Sequence, residues 1–453
     1  MFIADYTILD LLSEGAMRKG FLENQTLNDF VADRYYATPA VTEFFNATVT
    51  NVWSIDSYLS SALSYQSYAK YQFREPTPQC WVLKGDSYQQ IVTPLLVKLR
   101  KFGCTIQTST AVTGVTVQDG KVASISHSDD GGQSQVQPVD NLIIAVPPAS
   151  LADIIFTKSS GAAEGSSIVS VLPQLANVRR LASNPLPLLY VRFRRKLPDI
   201  PQFYVALLDS KYSLTFVEVK KLSERDQTTV LAIAASDFNA LPVNLANPVD
   251  RSGALHSDWM ASNPVLPEAA FLILSEFQRY VPFKLGHSFM DPDSDVNWDD
   301  TFFQPNLDQQ LFINEVGSQN YCPTVNYSAI QNLYFAGDTC VNPITIATVE
   351  SGVYSGLQAA NALARKYRLD PVRIIEPQSY PTALLWPWKI MLQPYAVVAK
   401  MWADLENAAG VGSSSRGGRA ANPKASVGQT AAAAGAMCAQ WWKMMDSLCR
   451  QLR

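Results

Sequence analysis

The chain has 453 residues, 47% of them hydrophobic and 17% charged, with a net charge of −4; this is the balance of a globular protein of two or three domains with no basic field to attract nucleic acid. Cys80, Cys104, Cys322, Cys340, Cys438 and Cys449 are scattered without a Cys-x-x-Cys pair, which points to free thiols rather than a disulfide frame. The only histidines, His127, His256 and His287, have no metal-ligand spacing, which leaves no zinc motif.

The opening MFIADYTILDLLSEG carries Asp5, Asp10 and Glu14 where an export signal needs positive charge and an apolar core. The expected location is therefore the cytoplasm or the interior of an organelle. Residues 1–75 read as helical, with Ile8, Leu11 and Leu12, then Leu22, Leu27, Phe30 and Val31 at helical spacing, and Asn24 or Thr26 as a cap. The same stretch is rich in aromatic residues, among them Tyr35, Tyr36, Phe44, Phe45, Tyr58, Tyr65, Tyr68, Tyr71 and Phe73. They read first as packed core, and alternatively as the lining of a pocket for an apolar substrate.

A second segment, 76–155, opens at Gly85-Asp86 and continues with a helix from Tyr88 to about Phe102. A strand over Thr105–Val112 follows, then a hairpin in which Val115–Gln118 and Lys121–Ile125 flank an Asp119-Gly120 turn. After a polar loop at Asp129–Gly132, Asp140–Val146 is a buried strand stopped by Pro147-Pro148. From 156 to 320 the pattern changes to strands and surface loops with a helix at about Glu268–Tyr280, read as a substrate domain. Within it, Pro187–Leu197 alternates as a half-buried strand, and its Arg192, Arg194, Arg195 and Lys196 read as a solvated strand edge.

Residues 321–366 carry the most informative stretch. Asn332–Ala336 is a short strand buried on both faces, and Gly337-Asp338 is a sharp turn bearing one carboxylate. A loop with Pro343 leads to a helix that starts near Thr345–Thr348 and runs to about Ala364. On it Gly352, Gly356 and Ala360 recur every fourth residue beside Ser351 and Ser355. A helix N-terminus aimed at an electron-rich group fits this layout, and so does an ordinary strand–helix unit of an α/β domain.

Beyond it, 367–406 is an apolar extension. Its 381–402 stretch mixes Trp with Lys389 and Lys400 and reads as a contact with a membrane surface or as a tail packed on the body. Residues 407–453 are Gly-, Ser- and Ala-rich and read as flexible up to an amphipathic end at Trp441-Trp442. The Gly410-Val-Gly412 run has no strand before it and no third glycine, so it is not a dinucleotide loop.

At Asn332, Leu333, Ala336, Gly337, Asp338, Thr348, Glu350, Ser355, Gly356, Ala359 and Ala360 the sequence resembles the flavin-containing amine oxidase and carotenoid (phytoene) desaturase superfamily. Ser351-Gly352 stands where that family usually has Gly-Ala. The block from the helix at Tyr88 to the Ala-Val-Pro ending at Pro147 resembles the same superfamily. The 187–197 strand resembles one in plant-type phytoene desaturases and bacterial squalene-forming relatives, with Arg194 where those often have Asp.

The resemblance implies an α/β fold: an N-terminally incomplete FAD-binding Rossmann-like domain of glutathione-reductase type, with an interleaved substrate domain of sheet and helices. FAD would be held by Val112, Gly337, Asp338, Thr348, Val349, Glu350 and Gly352. No strand–GxGxxG–helix segment occurs in the chain. The expectation is thus an incomplete copy, ahead of a second polypeptide that supplies the missing unit or a protein that has stopped binding FAD. The implied activity is hydride abstraction from an apolar isoprenoid-like substrate. An amine oxidase and a non-catalytic protein are the alternatives, and the absence of lysine in Leu186–Val191 argues against the former. No catalytic side chain is assigned.

Overall fold

The computed structural model describes residues 2–14, 20–72, 87–129, 132–159, 165–201, 204–219, 223, 227–241, 265–286, 291–307, 310–375 and 382–408. Gly85-Asp86, Phe73, His256, His287, Cys80, Cys438, Cys449, Asp130-Gly131, the Gly410 run and the Trp441-Trp442 end lie outside them.

In chain order the principal helices among the described residues are α1 (Phe2–Ser13), α2 (Leu27–Ala32), α3 (Pro39–Trp53), α4 (Ala62–Gln72), α5 (Thr93–Lys101), α6 (Pro148–Phe156), α7 (Val265–Phe277), α8 (Val349–Lys366) and α9 (Thr382–Ala408). The principal strands are β1 (Thr110–Gln118), β2 (Lys121–Asp129), β3 (Ser134–Pro138), β4 (Leu142–Ile144), β5 (Leu188–Phe193), β6 (Val205–Ala206), β7 (Leu214–Glu218), β8 (Val230–Ala235), β9 (Val296–Gln304), β10 (Asn326–Tyr327) and β11 (Ile330–Phe335). The chain divides into two compact units, one of Met1–Phe45, Ala62–Val82 and Gln378–Arg453, the other of Asn46–Ser61 and Leu83–Pro377.

The first unit is helical. Thr26 caps α2, its hydroxyl accepting from the Asp29 N–H at 2.9 Å. Leu11, Leu27, Phe30, Val31, Tyr36 and Phe45 are fully buried. Rings meet edge to face, Tyr6 on Tyr36 at 4.7 Å and Phe45 on Tyr65 at 5.9 Å between centroids. These rings are core, whereas Tyr35 and Phe44 face solvent. Helix α9 lies along α1, and the Tyr6 hydroxyl donates to the Lys389 carbonyl at 3.1 Å.

In the second unit, β1, β2 and β3 form an antiparallel sheet. Asp119 and Gly120 both have positive φ (49° and 70°), the primed turn that matches the twist of the two strands. The expected strand over Thr105–Val112 is corrected. β1 begins at Thr110 and runs through Val112 to Gln118 with a register shift between Val112 and Gly114. The cause is the segment crossing it: a Cβ on Gly114 would stand 2.9 Å from the Lys158 carbonyl oxygen, and the Val115 N–H donates to Thr157 O at 2.9 Å.

A separate sheet has the order β9-β5-β8-β7-β6 and is antiparallel throughout. Leu189, Val191 and Phe193 alternate into its core with Ile273, Leu274 and Phe277 of α7. This corrects the reading of the basic strand as an edge, because β5 is flanked on both sides. The charges lie at its end instead. Arg192 is 3.5 Å from Asp300, and Arg195 makes two bonds to Asp295 at 2.9 and 2.8 Å. Those Arg195 bonds hold the Asp295 carboxyl below the usual carboxylate range. A depressed carboxyl contributes stability that is present above its unfolded pKa and lost as pH falls through the folded one. Arg195→Met is therefore expected to flatten the acid limb of stability against pH, read as urea midpoints across the acid range. An unchanged limb would dismiss the pair.

Candidate functional site

β11 is the element that carries the site. It pairs parallel with β4 (Leu333 opposite Leu142, Phe335 opposite Ile144) and antiparallel with β10. Leu333 and Phe335 enter one core, while Tyr334 and Ala336 enter another with Ala359 of α8, so the strand is buried on both faces. The ladder ends where the Ala336 N–H donates to Ile144 O at 2.9 Å. Gly337 then takes φ 121°, open to glycine alone without strain, and sends the chain into Asp338.

The two serines beside the glycines fix this turn. Ser355 Oγ accepts from the Gly337 N–H at 2.9 Å and lies 2.7 Å from Gly337 O and 2.9 Å from Gly352 O, either of which can take its proton. Ser351 Oγ lies 3.4 Å from Asp338 O and accepts from Asn342 Nδ2 at 2.8 Å. Asn342 also donates to Cys340 O at 2.7 Å and accepts from the Ile344 N–H at 2.9 Å. Sequence reasoning did not single out Asn342, whose only local signal is the turn-forming Asn-Pro dipeptide it begins.

Helix α8 starts directly across from the turn. Thr348 is its N-cap, the hydroxyl accepting from the Ser351 N–H at 3.1 Å, and Val349 and Glu350 of the first turn are exposed. Gly352 faces the turn, since a Cβ there would stand 3.9 Å from the Asp338 backbone nitrogen, an ordinary contact; a Cβ on Gly356 would meet nothing within 4 Å. The protein's own packing thus does not require either glycine. Of the two, only the space over Gly356 is open.

Burial pushes the Asp338 carboxyl above its ordinary pKa, opposed by the N–H groups of Asp338 itself and Thr339. A raised carboxyl favours folding at low pH and loses that contribution as pH rises through its folded value. Burial likewise pushes the thiols of Cys322 and Cys340 up to about 12, with the nearby Asp338 charge adding to it. They are packing groups at neutral pH, not nucleophiles.

Of the residues expected to hold FAD, Gly337, Asp338, Thr348, Val349, Glu350 and Gly352 share this strand–turn–helix unit. Val112 belongs to a different sheet, where it pairs with His127. Asn332, noted only as part of a motif, is buried and ties β11 to β2 and to Asp140. Among the described residues no group of three or more His, Cys, Asp or Glu is placed to hold a metal ion.

Neither a family model nor a curated protein matches the chain. The crystal structure of an oxidoreductase from Methanosarcina mazei is similar to it at 13% identity and a TM-score of 0.41, over 72% of this chain. The chain spans 64% of the length of that protein, a distant structural match.

Proposed function

We propose that the chain belongs to an FAD-dependent oxidoreductase that abstracts hydride from an apolar, isoprenoid-like substrate. The observation that carries this reading is the Gly337-Asp338 turn, pinned by Ser351 and Ser355 against the N-terminal turns of α8, with open space over Gly356. FAD, when bound, supplies a hydride acceptor. The N-terminus of α8 at Thr348, Val349 and Glu350 would stabilise negative charge on it. Asp338 can accept a hydrogen bond from a sugar-type hydroxyl. Gly352 would let the ring approach, and the Val112 backbone would meet the adenine.

A pyrophosphate cradle is not among the described residues. Among the described residues β4 is an edge strand, and Leu95, Val97, Leu99 and Phe102 in and after α5 face solvent. Parallel strands are ordinarily covered on both faces. A strand–loop–helix from outside the described residues, or from a second polypeptide, would cover these groups and complete the cofactor site. Without it the chain holds FAD weakly.

Titration by quenching of flavin fluorescence tests this. Saturable binding is expected, weakened about tenfold by Asp338→Ala, the loss of a hydrogen bond. Gly356→Ala should raise stability by about 1 kcal/mol through helix propensity and still weaken FAD, because the new methyl group occupies the open space. A protein that stays colourless and leaves flavin fluorescence unchanged in excess FAD overturns the reading.

A further inference from the structure

Helix α9 divides its residues sharply. On the inner side Leu385 and Ala396 are buried, and Lys389 reaches the carboxylates of Asp10 and Glu14 on α1. On the other side Leu384, Met391, Tyr395, Val398, Trp402 and Leu405 are each more than half exposed. Their spacing of three, four and seven residues is that of one helical stripe, roughly 32 Å long at ~1.5 Å per residue. A soluble monomer seldom leaves so long a run of apolar side chains in water. Among the described residues no helix is long and apolar enough to cross a membrane. Lys400 pairs with Asp404 at 2.6 Å.

The sequence that follows α9 supplies the complementary charge. Residues 409–453 contain Arg416, Arg419, Lys424, Lys443, Arg450 and Arg453 against Asp446 alone, a net +5 in a chain of net −4, which leaves −9 on residues 1–408. The segment that follows the apolar stripe is thus net positive, whereas the rest of the chain is net negative. One apolar anchor plus one basic segment is the pair of signals that holds a protein on an anionic bilayer without spanning it.

We infer that the outward stripe of α9 and the basic segment after it dock the protein on an anionic lipid surface, with Tyr395 and Trp402 at headgroup level. Lys389 fixes the roll of the helix, holding the inner side against α1 and leaving the apolar stripe to face the bilayer. This contact is independent of the redox reading and survives its failure.

Cosedimentation of the full chain with vesicles is the test. With phosphatidylcholine containing a minority of phosphatidylserine, the protein should pellet, and with phosphatidylcholine alone its binding should be at least tenfold weaker. Each basic residue of 409–453 changed to glutamine should weaken binding to the anionic vesicles roughly fivefold. Val398→Glu with Leu405→Glu should abolish it; both positions are exposed, and circular dichroism confirms that the helix persists. Equal pelleting of this double variant and the parent overturns the proposal, as does failure of the parent to pellet. Sedimentation velocity covers the other occupant. A dimer that the double variant converts to monomer, with no vesicle binding by the parent, would assign the stripe to a second copy of the chain and refute the lipid surface.

Discussion

Lys389→Met is expected to destabilise the helical unit by about 3 kcal/mol, seen as a lower urea midpoint for the loss of its helical signal. Four charged groups meet there: Asp10 and Glu14 on α1, Arg34 just past α2 and Lys389 on α9. Lys389 Nζ stands 2.6 Å from Asp10 and 3.2 Å from Glu14, while Arg34 approaches the same carboxylates at 3.1 and 3.4 Å. Asp10 is only 2% exposed. Two negative and two positive charges balance, and removing the ammonium leaves a net negative charge out of water. The Tyr36 hydroxyl donates to Asp10 and can offset only part of that. Burial first, then the Asp10 charge, raises the pKa of this phenol, so it stays a neutral donor. Asp10→Asn introduced with Lys389→Met should recover part of the loss, because the charge left uncompensated is then gone. If the single variant loses less than about 1 kcal/mol, the cluster is no more than an exposed pair.

Local chemistry made several parts of this molecule legible in its sequence. The Asp119-Gly120 turn announced its hairpin because both residues tolerate positive φ. The strand before Gly337, the helix start near Thr345–Thr348 and one of the two caps offered, Thr26, were readable for similar reasons, since each depends on neighbours within a few residues. Contacts between distant segments were not readable. The break expected between Val112 and Val115 is a bulge in one strand, made necessary by Lys158 some forty residues on. Period-two alternation told which face of β5 is buried but not that β8 and β9 flank it. Asp10 and Glu14 look like a solvated helix face until Lys389, more than 370 residues away, arrives beside them. The serines and asparagines around Gly337 are polar groups bonded mostly to backbone atoms, and no pattern of side chains encodes those.

Asn332 is where such a contact has the greatest structural consequence. Its Oδ1 accepts from the Val122 N–H at 2.7 Å, and its Nδ2 donates to Val122 O and to Asp140 O, both at 2.9 Å. The side chain thus serves as a rung between β11 and β2, and also grips the residue that leads into β4. The Gln331 N–H, bonded to Gly120 O at 3.0 Å, adds a second tie to the hairpin. Asn332 is 3% exposed, so water does not replace these partners when the amide is removed. Asn332→Leu keeps the volume and strands one N–H and two carbonyls, each costing about 1–3 kcal/mol, so a loss of about 4 kcal/mol is expected. Asn332→Asp retains the bond from Val122 but turns a carboxylate oxygen toward two carbonyls, and should lose as much. Urea unfolding gives the magnitude, and hydrogen exchange gives the place. The amides of β2 should lose protection in both variants, while those of β5 and β8, in a separate sheet, keep theirs. Because β11 runs straight into Gly337, the amides of Gly337 and Cys340 should also exchange faster in both variants. Unchanged protection at those two would mean that Ser351 and Ser355 hold the turn without help from the hairpin.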